Sequence, residues 1–152
     1  MPKKISKDTP LSELTLRKYE KPYTTSKRES IRKLCLSIGL LQPGDSRDII
    51  VDILQVLLNN SKRKLLMNSE EIRSKVIASR KKQKLTINGV ASSNIRRQLK
   101  RLKDIYLAES IKNQYRITEF EDPITIFDKH IKSFYLKNII ERVEEHFKVV
   151  NQ

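Results

Sequence analysis

Cysteine occurs once in the 152-residue chain, as Cys35. One thiol excludes an intramolecular disulfide and a thiolate metal site. Cys35 also falls on an apolar stripe, where an inert core thiol is expected rather than a nucleophile. Glycine occurs only at Gly39, Gly44 and Gly89, so no Gly-rich loop can cradle a phosphate. The two histidines, His130 and His146, lack metal-ligand spacing, and tryptophan is absent. The adjacent carboxylates Glu70-Glu71 and Glu144-Glu145 point to different sides of a helix and cannot act as an acid/base pair. No apolar run nears the roughly 18 residues of a membrane span, and no secretory apolar region follows the basic start at Met1 to Lys7. These absences lead to the expectation of a non-enzymatic, cytoplasmic protein with no metal, no cofactor and no membrane partner.

Acidic residues are scarce as well. Lys and Arg number 32 against 18 Asp and Glu, for a net charge of +14. Such a balance fits a polyanionic partner. The excess is concentrated: residues 62–103 hold 14 Lys/Arg and only two acids, Glu70 and Glu71. Residues 121–152 hold five Lys/Arg and six Asp/Glu, so the C-terminal segment serves another purpose.

Residues 1–25 read as a basic flexible segment, with a short amphipathic piece at Leu11, Leu14 and Leu16. A helix is expected over 26–41, opened by the capping-box spacing of Ser26 and Glu29. Its apolar stripe is Ile31, Leu34, Cys35 and Ile38, with Arg28, Arg32 and Lys33 off the stripe and Gly39 as its stop. Asp45 or Ser46 should cap the next helix, which is apolar on most sides from Ile49 to Leu58. Asp48, Asp52, Gln55 and Asn59 form its one narrow polar stripe. A short strand over 62–67 and a helix capped by Asn68, running to about Lys82, follow. Ile72, Val76 and Ile77 form the inner face of that helix. A polar loop from Gln83 to Gly89 leads to a helix from about Ser92 to Tyr106, anchored by Ile95, Leu99 and Leu102. Leu107 to Ile111 and Tyr115 to Thr118 read as a hairpin around Lys112-Asn113-Gln114. Pro123 then opens a helical tail with a break expected near Tyr135. Its apolar positions are Ile126, Phe127, Ile131, Phe134, Ile139, Ile140, Val143 and Phe147.

If Ile95, Leu99 and Leu102 hold one face of the helix at 92–105 to the core, the basic residues must occupy the others. A helix fits the major groove of B-DNA, and its N-terminal residues reach base edges. Ser93, Asn94 and Arg97 are therefore the candidates for base contact. Arg96, Lys100, Arg101 and Lys103 are candidates for phosphate contact, which gives affinity without sequence information. The basic runs Lys62-Arg63-Lys64 and Arg80-Lys81-Lys82-Gln83-Lys84 are further phosphate candidates. Lys112, Asn113, Gln114 and Arg116 would serve a phosphate or the minor groove from the hairpin. Each set also reads as solvated charge or an ordinary hairpin tip.

The stretch Val90-Ala91-Ser92-Ser93-Asn94-Ile95-Arg96-Arg97-Gln98-Leu99-Lys100-Arg101-Leu102-Lys103-Asp104, followed by Ile105-Tyr106-Leu107-Ala108-Glu109, resembles the winged helix-turn-helix domains of bacterial and archaeal transcriptional regulators. The resemblance covers residues 46–118 and is one of architecture. It implies a mainly α fold with a small β-hairpin wing, extended by helices at both ends. On that reading residues 26–120 form the winged-helix domain with its extra N-terminal helix, and 121–152 form a C-terminal tail for packing or dimerisation. The partner implied is double-stranded DNA, with RNA the other polyanion the charge admits, and a homodimer joined by the C-terminal helix is expected. The function implied is sequence-specific DNA binding in transcriptional regulation. Two alternatives use the same residues: a structural or replication-associated DNA-binding protein with little specificity, and an adaptor subunit of a protein or ribonucleoprotein complex. One departure is the stretch from Lys81 to Gly89, longer than the tight turn usual between the second and third helices.

Overall fold

The computed structural model describes residues 8–23 and 25–152. The fold is mainly helical, with a small three-stranded antiparallel sheet. Helices α1 (Lys27–Ser37) and α2 (Ile49–Ser61) come first, then strand β1 (Met67–Asn68), α3 (Ser69–Lys82) and α4 (Ser92–Asp104). Strands β2 (Ala108–Ile111) and β3 (Gln114–Ile117) follow, and a 3-10 turn at Thr118–Phe120 leads into the tail. The tail runs as one helix through α5 (Pro123–Ile126), a π-helical stretch (Phe127–Tyr135) and α6 (Leu136–Val150), so the break expected near Tyr135 is a change of winding.

Around α2 the core assembles. Ile49, Ile50, Val51, Ile53, Leu54, Val56 and Leu57 are all buried, as a helix apolar on nearly every side requires. Ile31 and Cys35 of α1, Ile72 and Val76 of α3, and Ile95, Leu99 and Leu102 of α4 close on it. Leu34 departs from the expected stripe and stays 37% exposed. Burial pushes the Cys35 thiol up to about 12 despite the nearby positive charges of Arg101 and Arg28, so it stays protonated.

Local chemistry sets the boundaries. Ser26 accepts from the Glu29 backbone N–H at 3.2 Å and starts α1. At α3 the full capping box forms: Asn68 Oδ1 accepts from Glu71 N at 2.8 Å, and Glu71 Oε1 accepts from Asn68 N at 3.1 Å. Neither Asp45 nor Ser46 caps α2. Asp48 stands at that position, and its carboxylate turns to arginines instead of the helix N-terminus. Asp45 accepts from Arg47 N at 3.0 Å in a local turn.

The hairpin turns through Lys112 and Asn113, both at positive φ (51° and 64°). That is the twist a two-residue connection needs to match its strands. β3 is the central strand, with β2 on one side and β1 on the other. Only Met67 and Asn68 pair with it, opposite Tyr115 and Gln114, so the strand expected over 62–67 shrinks to its last residue and the next. Lys62 to Lys64 form a turn instead.

Two terminal segments join the body. Among the described N-terminal residues no helix forms at Leu11 to Leu16, and Leu11 is 93% exposed. Residues after it are nonetheless held. Arg17 donates to the carbonyls of Leu36 (2.8 Å) and Leu41 (3.2 Å), and Tyr19 packs against the core. Gly39 permits this crossing: its φ is +77°, and a Cβ there would lie 2.6 Å from that of Thr15. Residues 1–7 of the segment expected to be flexible lie outside the described residues. In the tail, Ile126 and Ile131 are fully buried, whereas α6 buries nothing. Its first half packs and its second half projects.

Candidate nucleic-acid interface

Three side chains fix α4. Ile95, Leu99 and Leu102 are each 0% exposed, and their spacing of four and three puts them on one face. Ser93, Arg96, Arg97 and Lys100 are exposed on the opposite side. Asp104 lies one turn beyond Lys100 and accepts from its Nζ at 3.2 Å, so this face does carry one acid.

Asn94 has a different task from the one expected of it. Its Nδ2 donates to the Gly89 carbonyl at 2.7 Å, and its Oδ1 accepts from Arg97 Nη2 (2.7 Å) and Gln98 Nε2 (3.1 Å). The amide thus ties the preceding loop to the helix and steadies Arg97. Base reading on this face would fall to Ser93 and Arg97.

Arg101 also leaves the expected set. It is half-buried and donates to Gln98 Oε1 and to the Leu40 carbonyl, both at 2.8 Å, pinning α4 to the segment after α1. Lys103 points toward the sheet and donates to Ser110 Oγ at 3.1 Å. Arg116, expected on the hairpin, forms a cross-strand pair with Glu109 (2.6 Å) and lies over the Phe120 ring. Lys112, Asn113 and Gln114 remain exposed at the tip.

Of the basic runs, Lys62, Arg63 and Lys64 do not join the tip. Antiparallel pairing places Asn68 beside Gln114, so the chain before β1 runs toward the base of the hairpin. Lys62 accordingly shares a groove with Phe120, Glu121 and Pro123. Lys81, Lys82 and Lys84 are exposed at the opposite end of α3 from Asn68, roughly 20 Å away at 1.5 Å per residue. The structure therefore scatters the basic residues over several surfaces and gathers the α4 face as one.

The long stretch before α4 is a return path along α3. Arg80 Nε donates to the Thr86 carbonyl at 2.7 Å, and Arg73 Nε donates to the Val90 carbonyl at 2.6 Å. Two arginines of one helix thereby clip the loop back along its length, and α4 starts beside the first half of α3.

Arg80 belongs as well to an ion cluster that sequence reading missed. Its Nη1 donates to Asp48 Oδ1 (3.1 Å) and to Asp52 Oδ2. From α1, Arg28 Nε donates to Asp52 Oδ1 (3.1 Å), and its Nη2 reaches Asp52 Oδ2 and Asp48 Oδ2 at 3.0 Å. Two acids four residues apart on a helix otherwise buried all round were the available signal, since each needs a countercharge. Burial alone would raise the Asp48 carboxyl. Hydrogen bonds and charge from Arg28, then Arg80, outweigh it and hold the group below its ordinary value. A depressed folded value means that stability is present above the unfolded value near 3.9 and is lost as pH falls through the folded one. Acid titration followed by circular dichroism should show stability dropping below about pH 4. With Asp48→Asn this part of the drop should shrink, and an unchanged acid limb would remove Asp48 as its source.

Among the described residues, no group of three or more His, Cys, Asp or Glu side chains is placed to hold a metal ion. Nor is any helix among the described residues long and apolar enough to cross a membrane. Comparison with protein-family models, curated proteins and solved structures found no match.

Proposed function

We propose that this protein binds duplex DNA as a winged helix-turn-helix regulator, with α4 entering the major groove. The observation that carries the reading is the α4 face: three fully buried side chains point Ser93, Arg96, Arg97 and Lys100 outward together. The order α2, β1, α3, α4, β2, β3 with sheet order β1-β3-β2 supports it, because it sets a hairpin beside that helix as a wing.

The roles divide by chemistry. Arg97 can bond guanine bidentately, and Asn94 restricts the directions it takes. Ser93, in the first turn, would reach a neighbouring base edge. Arg96 and Lys100 would neutralise phosphates on either side of the groove. Lys112, Asn113 and Gln114 at the wing tip would meet the adjacent backbone.

The test is binding of the purified chain to duplex DNA over a series of salt concentrations, with RNA of equal length alongside. Affinity for duplex DNA should fall steeply as salt rises, because each neutralised phosphate releases a counterion. Lys100→Ala should weaken all sequences alike and lower the slope of log affinity against log salt by about one. A slope unmoved by the substitution would take Lys100 off the phosphates. Binding that ignores sequence would turn the reading toward a structural DNA-binding protein. Little binding to either polymer would favour the adaptor role.

A further inference from the structure

The last helix carries an apolar seam that nothing among the described residues covers. α6 has no buried residue, yet Leu136, Ile140, Val143, Phe147 and Val150 recur along it at steps of four and three. That alternation is the seam of a left-handed coiled coil, in which apolar side chains fall every 3.5 residues on average. Ile140 and Val143 are half exposed, Phe147 is 73% exposed and Val150 83%.

We propose that α6 pairs antiparallel with the α6 of a second copy of this chain. The charges beside the seam choose both the occupant and the direction. Lys137 and Glu144 each follow a seam residue and lie on one border; Ile139 and His146 each precede one and lie on the other. Antiparallel pairing sets Leu136 against the second copy's Phe147, and Ile140 against its Val143. Like borders then meet, so Lys137 faces the second copy's Glu144, and symmetry repeats the pair. Ile139 meets His146 on the other side. A parallel pair would set Glu144 against Ile139 and leave Lys137 opposite no acid. Among the described residues neither Lys137 nor Glu144 has an ion-pair partner in its own chain, whereas Arg142 and Glu145 pair with each other at 2.7 Å. The pairing stands whether or not α4 binds DNA. Where α4 does, two copies related by a two-fold axis would require a site of matching symmetry.

Sedimentation equilibrium of the full chain without nucleic acid tests this. The native chain should sediment at twice its 17.9 kDa. Ile140→Glu with Phe147→Glu should give a monomer of unchanged helical signal, since no α6 side chain supports the core. Lys137→Glu alone, which makes two Glu–Glu contacts, should weaken the dimer about tenfold or more. Adding Glu144→Lys should restore it to within a few-fold of native. A monomeric native chain, or a dimer indifferent to the seam substitutions, would overturn the proposal. A dimer that Glu144→Lys fails to rescue would overturn its antiparallel direction.

Discussion

Asp52→Ala should lower the stability of this protein by about 3–5 kcal/mol, the cost of leaving charge buried without its counterion. The Asp52 side chain is fully buried and accepts from two arginines, Arg28 at 3.0 Å and Arg80. Those guanidiniums are themselves only 13% and 4% exposed. With the carboxylate gone, both would lean on Asp48 alone while remaining in a poorly solvated site. For a chain of this size the loss should lower the melting temperature by about 10 °C. Asp128→Ala, at a carboxylate 54% exposed, is the control and should move stability by less than about 0.5 kcal/mol. A loss below about 1 kcal/mol for Asp52→Ala would mean that water screens the cluster.

Reversing two charges on α4 should have the largest effect on binding. Arg96→Glu with Arg97→Glu is expected to reduce affinity for duplex DNA about a hundredfold or more, and to lower the salt slope by about one, for the phosphate contact of Arg96. Each arginine is exposed, and no part of the core rests on either. Arg97 meets only Asn94 Oδ1 among the hydrogen bonds of the described residues, so the melting temperature should stay near that of the parent. The substitutions remove one phosphate contact and one base contact and place two carboxylates where the polyanion would lie. Affinity within threefold of the parent, measured by fluorescence anisotropy on the same duplex, would sink the assignment of this face.

What sequence reveals here depends on how local the cause is. The Asn68–Glu71 box, the spacing of Ile95, Leu99 and Leu102, and the Lys112-Asn113 turn each rest on residues a few positions apart. All three were legible. β1 was not legible at its true extent, because two residues have no period and their pairing comes from β3, far along the chain. The ion cluster escaped for a related reason. Arg28 looked like a solvent-facing residue and Arg80 like part of a basic run, and only the packing of α1, α2 and α3 brings them to Asp48 and Asp52. Within the candidate site, the outward placement of Ser93, Arg96, Arg97 and Lys100 followed from the apolar face alone. The inward turn of Arg101 depended on the Leu40 carbonyl, which no pattern around Arg101 reports.

The two arginines of α3 that hold the stretch before α4 both grip carbonyl oxygens, those of Thr86 and Val90. Every amino acid offers that same atom. The path of the stretch is therefore insensitive to the side chains it carries, apart from Lys84 and Gly89, whose φ values of +57° and +74° disfavour β-branched residues at the first and suit glycine at the second. Gln83, Thr86, Ile87 and Asn88 can be exchanged without shifting the start of α4, provided proline stays away from the hydrogen-bonded amides. This stretch is thus a site of low constraint beside one of high constraint. Selection, or a designer, can re-tune its charge while the neighbouring helix keeps its aim.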